Sequence, residues 1–146
     1  MERFRTTAAT MLVALILSAC GPADSDVASG PLPVITPADL WQDRPLAGVS
    51  GVLTMRDNCL LLGGDIVFWL HGTRWDEERE AVVFDDDSAV AVGEEFDGGG
   101  GYSDLRGDVS GPLDVESWLG EDAGAAIREC SEKTGITGLV FAYPST

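Results

Sequence analysis

Basic side chains are scarce in this sequence. Its 146 residues include 9 Lys or Arg against 25 Asp or Glu, which gives a formal net charge of −16 at pH 7. Proteins bind nucleic acids mainly through basic side chains that neutralise phosphates, and a surface this acidic repels them. We therefore expect no nucleic-acid partner. The acidic surface favours a cationic partner, a metal ion or simply solubility.

Other chemistry-bearing patterns are missing too. The chain has one histidine and 3 cysteines. The cysteines are too far apart for a CxxC redox pair, and one histidine is too few for the usual zinc sites. The glycine run at 98–101 is not followed by the Gly-Lys-Ser/Thr of a phosphate-binding loop. We therefore predict no metal site, no cofactor and no identifiable catalytic residue.

The longest apolar run is short and lies near the N-terminus. It covers about Met11–Leu17, follows Arg3 and Arg5, and falls short of the ~20 residues that span a bilayer. A short positive region, a short apolar region and small residues before a cut site are typical of an export signal. The sequence therefore predicts a signal peptide over residues 1–19.

The signal ends in Leu17-Ser18-Ala19-Cys20. This LSAC tetrapeptide resembles the lipobox of bacterial lipoproteins, in which the cysteine thiol receives a diacylglyceryl group and becomes the mature N-terminus. Two acyl chains on one residue give stable membrane anchoring. The resemblance implies lipidation of Cys20 and a location on the extracytoplasmic face of the cell membrane. The alternative is an ordinary secretory signal in which Cys20 occurs by chance.

The rest of the chain divides into a tether and a domain. Residues 20–35 are rich in Pro, Gly, Ser and Asp and show no apolar period, which predicts a flexible tether. We expect residues 36–146 to form a single β-rich globular domain, because a chain of this length suits one modest core.

Short apolar runs separated by turn signals dominate residues 48–96, and a further strand is predicted at 138–143. Between them, Ala123, Ile127 and Cys130 share one face of a predicted helix over 121–135. We predict a mainly β fold, a small antiparallel barrel of the OB type with one late amphipathic helix. A sandwich is the alternative, and the late helix departs from the standard OB order, which places it between the third and fourth strands.

With Cys20 assigned to lipid, two cysteines remain. An even remainder in an oxidising compartment implies one disulfide. Cys59 opens a core strand and Cys130 lies on the apolar face of the predicted helix. We therefore predict a Cys59–Cys130 bridge, with two buried thiols as the alternative.

A glycine-rich stretch is the main candidate for ligand binding. Glycine lets a ligand approach the backbone, a tyrosine ring can stack and carboxylates accept hydrogen bonds. The same glycines could equally form a flexible loop or a kinked barrel corner. The candidate ligand loop consists of Gly98, Gly99, Gly100, Gly101, Tyr102 and Asp104, with Trp75 as a second aromatic.

Acidic residues suggest two alternatives to a binding role. Carboxylates in 76–80, together with Asp104, could serve an envelope polysaccharide or peptide hydrolase if two of them faced each other across a cleft. The run 85–87 could bind Ca²⁺ through hard oxygens, although a solvated hairpin turn is favoured. His71 lacks an obvious nucleophile partner, so a role as general base is not favoured.

The stretch CLLL…IVFWLHGTRWD…VVFDDDSAVAVGEEFDGGGGY resembles a group of small uncharacterised lipoproteins of high-GC Gram-positive bacteria. The resemblance covers roughly residues 50–102. It implies a lipid-anchored envelope location and brings no activity to carry over. We therefore expect a non-enzymatic binding or interaction domain that is held at the membrane by its lipid and has a cell-wall or envelope partner.

Overall fold

The structure is a computed structural model that describes residues 34–37, 47–109 and 111–145. The predicted signal peptide, the lipidation site at Cys20 and most of the predicted tether lie outside these residues. The described elements are, in chain order, β1 (Ala47–Arg56), β2 (Cys59–Leu62), β3 (Asp65–Trp69), β4 (Arg74–Asp76), β5 (Ala81–Val83), β6 (Ala89–Ala91), β7 (Glu95–Asp104), α1 (Val115–Leu119), α2 (Glu121–Thr134) and β8 (Gly138–Pro144).

Five strands form a closed barrel in the order β1-β2-β3-β8-β7, and β7 pairs with β1 to complete it. In chain order these are the first, second, third, fifth and fourth barrel strands. Four of the pairings are antiparallel, whereas β3 and β8 run parallel. The predicted mainly β barrel with a late helix is confirmed. The parallel pair is a feature that the antiparallel prediction did not include.

Two tight hairpins set the register of the first three barrel strands. Asp57 and Asn58 join β1 to β2 with φ of 52° and 62°, and Gly63 and Gly64 join β2 to β3 with φ of 60° and 99°. Positive φ at both central residues is the requirement of a two-residue type I′ turn, whose twist matches that of the flanking strands. The residues Asp-Asn and Gly-Gly meet this requirement.

The barrel separates two apolar cores. The inner core fills the barrel and contains Val49, Leu53, Leu60, Leu62, Val67, Trp69, Val82, Phe84, Val90, Phe96, Val140 and Ala142. The outer core lies between the barrel wall and the helices and contains Ile35, Cys59, Leu61, Ile66, Phe68, Val115, Leu119, Ala123, Ile127, Cys130, Leu139 and Phe141.

Strands β2, β3 and β8 have apolar side chains on both faces. In β3, for example, Ile66 and Phe68 enter the outer core while Val67 and Trp69 enter the inner core. Successive side chains of a strand point to opposite faces, so a strand covered on both sides is apolar at every position. This explains why these segments read as unbroken apolar runs.

A second, three-stranded sheet of order β4-β5-β6 lies between the third and fourth barrel strands in the chain. Its Val82 and Val90, together with Phe84 in the turn that follows β5, belong to the inner core. The sheet therefore supplies part of the barrel filling. The sequence predicted strands at β5 and β6 but placed them in the barrel itself, and it did not predict β4, which lies in a polar, acidic segment.

The predicted late helix is present as α2. Acidic Glu121 and Asp122 occupy its first turn, Lys133 its last, and Gly135 caps it with a left-handed φ of 74°, as helix dipoles and C-caps favour. A five-residue helix, α1, precedes it and was not predicted, because so short an element shows no helical period. The Asp114 side chain caps α1 by accepting the Ser117 N–H at 3.1 Å.

The predicted disulfide is present. The sulfur atoms of Cys59 and Cys130 are 2.04 Å apart, and the bridge joins β2 to α2 across 71 residues of chain. It therefore fixes the helical layer to the barrel wall.

Residues 34–37 pack along the end of β3. Ile35 is 5 % exposed and lies in the outer core, and its carbonyl oxygen accepts the Trp69 N–H at 2.9 Å. Val34 packs against the inner core. The predicted boundary between tether and domain lies after residue 35, so two residues assigned to the tether pack against the domain.

Candidate functional site

The candidate ligand loop is a barrel strand. Gly98, Gly99, Gly100, Gly101, Tyr102 and Asp104 all lie in β7. The glycines pair with β8 throughout, and three of them also pair with β1. The prediction of a loop is therefore wrong, and the structural alternative fits better. Glycines carry no side chain, so four in a row show no strand alternation and resemble a flexible segment.

Close neighbours explain why these positions are glycine. A Cβ at Gly100 would overlap the Phe141 carbonyl oxygen and stand 2.7 Å from Val49 Cγ2. A Cβ at Gly99 would stand 2.5 Å from a carbon of the Tyr143 ring, which lies on the directly paired residue of β8. The space beside the glycines is therefore occupied by aromatic rings and backbone atoms of the protein itself.

The two aromatic residues proposed with the loop lie on different sheets. Tyr102 is 58 % exposed on β7. Trp75 lies in β4 of the small sheet, is half-buried and packs against the inner core. Trp75 therefore serves the packing of the small sheet.

Two of the carboxylates proposed for hydrolysis, Asp76 and Asp104, are held in their ionised form. The Asp76 side chain accepts the Arg79 Nε–H at 2.6 Å and the Arg79 backbone N–H at 3.0 Å, and these hydrogen bonds lower the pKa of Asp76. Asp104 accepts from Arg106 at 2.7 Å and 3.0 Å, which holds the pKa of that carboxyl well below its ordinary range. A general acid must carry a proton at working pH, and these two groups do not.

The acidic run 85–87 forms the turn between β5 and β6, as the structural alternative predicted. Asp86 accepts from the Ser88 backbone N–H at 2.9 Å and its hydroxyl at 2.5 Å, and Asp87 pairs with Arg74 at 2.9 Å. Over the described residues, no group of three or more His, Cys, Asp or Glu side chains is placed to hold a metal ion. Two of these three carboxylates therefore have partners within the protein.

His71 lies in the exposed turn after β3. Its Nδ1 is 3.3 Å from the Pro37 carbonyl oxygen. A carbonyl can only accept, so Nδ1 carries the proton in this contact. His71 thus helps to hold the 34–37 segment against the barrel.

Most of the basic side chains that the structure describes are neutralised by a neighbouring carboxylate. Five of the six pair in this way: Arg74 with Asp87, Arg79 with Asp76, Arg106 with Asp104, Arg128 with Glu116 and Lys133 with Glu129. The sixth, Arg56, instead donates to the Thr134 carbonyl oxygen at 3.4 Å. The same parts of the chain contain 20 Asp or Glu, so their surface potential is strongly negative.

The face of the barrel that OB folds use for ligands is covered here. OB barrels bind oligonucleotides and oligosaccharides on the face of their second and third strands. In this protein the outward side chains of β2 and β3 are buried in the outer core beneath the helices. The outward side chains of β1 and the first part of β7 remain exposed, as Ser50, Thr54, Glu95 and Asp97 illustrate.

The concave surfaces of the protein include two that described residues line. One, of about 330 Å³, lies between the end of β7 and the start of α1 and includes Asp104, Asp108 and Asp114. Two of these carboxylates have structural roles, because Asp104 pairs with Arg106 and Asp114 caps α1. The other, of about 550 Å³, is a shallow groove lined by Thr54, Met55, Arg56, Leu61, Gly64 and Ile136.

The sequence alone does not indicate this groove. Its residues come from β1, β2, the β2–β3 turn and the link between α2 and β8. These residues are brought together by the strand register and by the position of α2, so no local sequence pattern indicates the groove. The one available signal is that Thr54 and Arg56 share the outward face of β1.

The chain matches no family model, no curated protein and no solved structure. Among the residues that the structure describes, no helix is both long and apolar enough to cross a membrane.

Proposed function

We propose that this protein is an exported domain that is held by a lipid on Cys20 at the extracytoplasmic face of the cell membrane. There it acts by binding a partner in the envelope and carries out no catalysis. The observation that carries this proposal is the Cys59–Cys130 bridge. Disulfides form and persist in oxidising compartments, and this bridge leaves Cys20, at the end of LSAC, as the cysteine available for lipid.

The tether sets how far the domain stands from its anchor. Cys20 and Val34 are 14 positions apart in the sequence (34 − 20). A flexible chain of that length has a typical end-to-end distance of about 20 Å and cannot exceed about 50 Å. The barrel would therefore work close to the membrane, within reach of neighbouring envelope components.

Binding fits the described surface better than hydrolysis. Two of the carboxylates considered for hydrolysis, Asp76 and Asp104, each engage an arginine close to them in the sequence. Their lowered pKa values favour the charged form, whereas an acid catalyst needs a raised pKa. Neither the hydrolase alternative nor the Ca²⁺ alternative gains support from the described residues.

Cell fractionation tests the proposal. The wild-type chain should partition into the membrane fraction and remain accessible to protease added outside the cytoplasm. Cys20→Ser should move the protein into a soluble, released form, because the acceptor thiol is gone. The double variant Cys59→Ser/Cys130→Ser is the matched control and should stay membrane-bound. A Cys20→Ser protein that still sediments with membranes would overturn the lipid anchor.

A further inference from the structure

The end of β3 is completed by residues 34–37, which we call the strap. Among the described residues, β2 pairs with the first two residues of β3, whereas β8 pairs with β3 up to its last residue, Trp69. On the edge of β3 away from β8, the Trp69 N–H donates to the Ile35 carbonyl oxygen at 2.9 Å. The strap therefore lies beside β3 where β2 no longer does, as loops cover open sheet edges in other proteins.

The strap is built like a short strand. Burial alternates along it, since Ile35 and Pro37 are buried while Val34 and Thr36 are half-buried. Ile35 lies in the outer core and Val34 packs against the inner core, so successive side chains point to opposite faces of the barrel wall. The strap thus shows what fits beside β3, namely an extended segment with an apolar side chain on each face.

Few bonds hold the strap in place. Among the described residues, two hydrogen bonds join it to the barrel, one from the Trp69 N–H to Ile35 and a long one, 3.3 Å, between His71 Nδ1 and the Pro37 carbonyl oxygen. Pro33 precedes the strap and Pro37 ends it, and a proline cannot donate to a β-ladder. A short segment with so few bonds opens at a smaller cost than the whole fold. A segment without proline can make more backbone bonds to β3.

We propose that the strap is an exchangeable strand. It opens while the barrel stays folded, and the uncovered end of β3 then pairs with an extended, apolar, proline-free segment of the envelope partner. Strand addition of this kind takes its affinity from main-chain hydrogen bonds and its specificity from alternate side chains. This inference rests on the binding role proposed above and names the site and the chemistry of the partner.

Hydrogen exchange of the exported Cys20→Ser chain tests the opening. The amides of Trp69 and Leu53 are matched probes, because both residues are fully buried and each N–H makes a bond of 2.9 Å. We expect protection at Trp69 to be at least about tenfold lower and insensitive to low urea, since local opening exposes little surface. Equal protection and equal urea dependence would show that the strap opens only when the barrel unfolds, which would overturn the proposal.

Two matched truncations separate the strap from the barrel. Ile35→Val and Ile66→Val each delete one methylene from the outer core. Ile66→Val should quicken exchange at Leu53 by about two- to tenfold and leave Trp69 unchanged, because the open and closed forms lose the same contact. Ile35→Val weakens only the closed form and should quicken both. If Ile66→Val quickened both amides equally, the proposal would be wrong.

A peptide titration tests the pairing. The probe is a blocked heptapeptide of residues 32–38 with threonine in place of Pro33 and Pro37, and the unaltered heptapeptide is its control. We expect the probe to protect the Trp69 amide and to bind at least about tenfold more tightly than the control, because it regains two N–H donors. An Ile35→Ala chain should bind the probe about tenfold or more tightly than wild type, since its open form is more populated.

Equal binding of the two peptides, no protection of Trp69, or equal affinity of wild type and Ile35→Ala would each overturn the proposal. So would a concentration-dependent dimer of the chain alone in sedimentation, because the strap of a second copy would then be the occupant. Such a failure would leave membrane anchoring through Cys20 untouched, because fractionation measures that property separately.

Discussion

The two halves of the barrel wall are built from different kinds of sequence. On one side, β2, β3 and β8 are apolar on both faces and lie under α1 and α2, and a disulfide joins β2 to α2. On the other side, β1 and β7 have an apolar inner face and an outer face of small, polar and acidic residues. We call these the covered half and the bare half.

Buried packing and exposed surface are divided between the two halves of the barrel wall. The covered half carries two layers of apolar packing, and changes there remove buried contacts. In the bare half, the glycines of β7 carry no side chains, and this lets the backbone of β8 approach closely. Its exposed surface is not covered by the helices, so substitutions on that surface should alter folding less than substitutions in the covered half.

The largest effect is expected from Gly100→Ala in the bare half. The new methyl group would overlap the Phe141 carbonyl oxygen, so β7 could not keep its pairing with β8. We expect a loss of more than about 4 kcal/mol in the free energy of unfolding, measured by urea denaturation. Gly48→Ala, on the neighbouring strand, is the control, since no atom lies within 4 Å of its Cβ position. Equal stability of the two variants would contradict the strand assignment.

Removing the bridge should have the next largest effect. The double variant Cys59→Ala/Cys130→Ala frees a loop of 71 residues, and we expect a loss of about 2–5 kcal/mol. Hydrogen exchange should quicken most in α2. If, under conditions in which the protein stays folded, exchange quickened as much in β1 and β7 as in α2, the bridge would not act mainly on the covered half.

Matched truncations should separate the halves further. Ile127→Val deletes one methylene from a side chain that is fully buried in the outer core, and we expect a loss of about 0.5–1.5 kcal/mol. Val52 on β1 is 46 % exposed, and Val52→Ala should change stability by less than about 0.5 kcal/mol. Thermal or urea unfolding of both variants provides the measurement, and a larger cost at Val52 would reverse the comparison.

The smallest effect concerns pH. Arg128 on α2 donates to Glu116 on α1 and lowers the pKa of that carboxyl from its ordinary 4.5. A carboxyl with a lowered folded pKa adds stability above its unfolded pKa, and that contribution disappears as pH falls through the folded value. Glu116→Gln should therefore melt below wild type at pH 7, and this difference should vanish well below pH 4.5.

Glu95→Gln is the control for this experiment. Glu95 is exposed on β7 in the bare half, and it has no ion pair among the described residues. Because the substitution removes one negative charge from an acidic protein, it should not lower the melting temperature at pH 7. A loss equal to that of Glu116→Gln would show that the helix–helix pair contributes nothing specific.

The covered half was the more predictable from sequence. Its strands are unbroken apolar runs and α2 has a clear helical period, so a barrel with a late helix and the Cys59–Cys130 bridge could be predicted. The bare half is harder to predict, because the glycines of β7 show no strand alternation and their pattern indicates a loop. Strand order also lies beyond local patterns, since the parallel β3–β8 pair depends on contacts distant in the chain.

The candidate site was less predictable than the fold. Trp75, Tyr102 and Asp104 lie near predicted loops and acidic residues in the sequence, which suggests one site. In the structure, Trp75 lies in the small sheet and packs against the inner core, and Asp104 pairs with Arg106. The groove at Arg56 is assembled from four separate segments. Side chains brought together by register leave no signature in a single stretch of sequence.

The most direct test of the account is peptide mass spectrometry of the exported protein, alkylated under non-reducing, denaturing conditions. We expect a peptide pair linked through Cys59 and Cys130, with Cys20 modified by a diacylglyceryl group. Alkylated thiols at both Cys59 and Cys130, or a disulfide that includes Cys20, would contradict it.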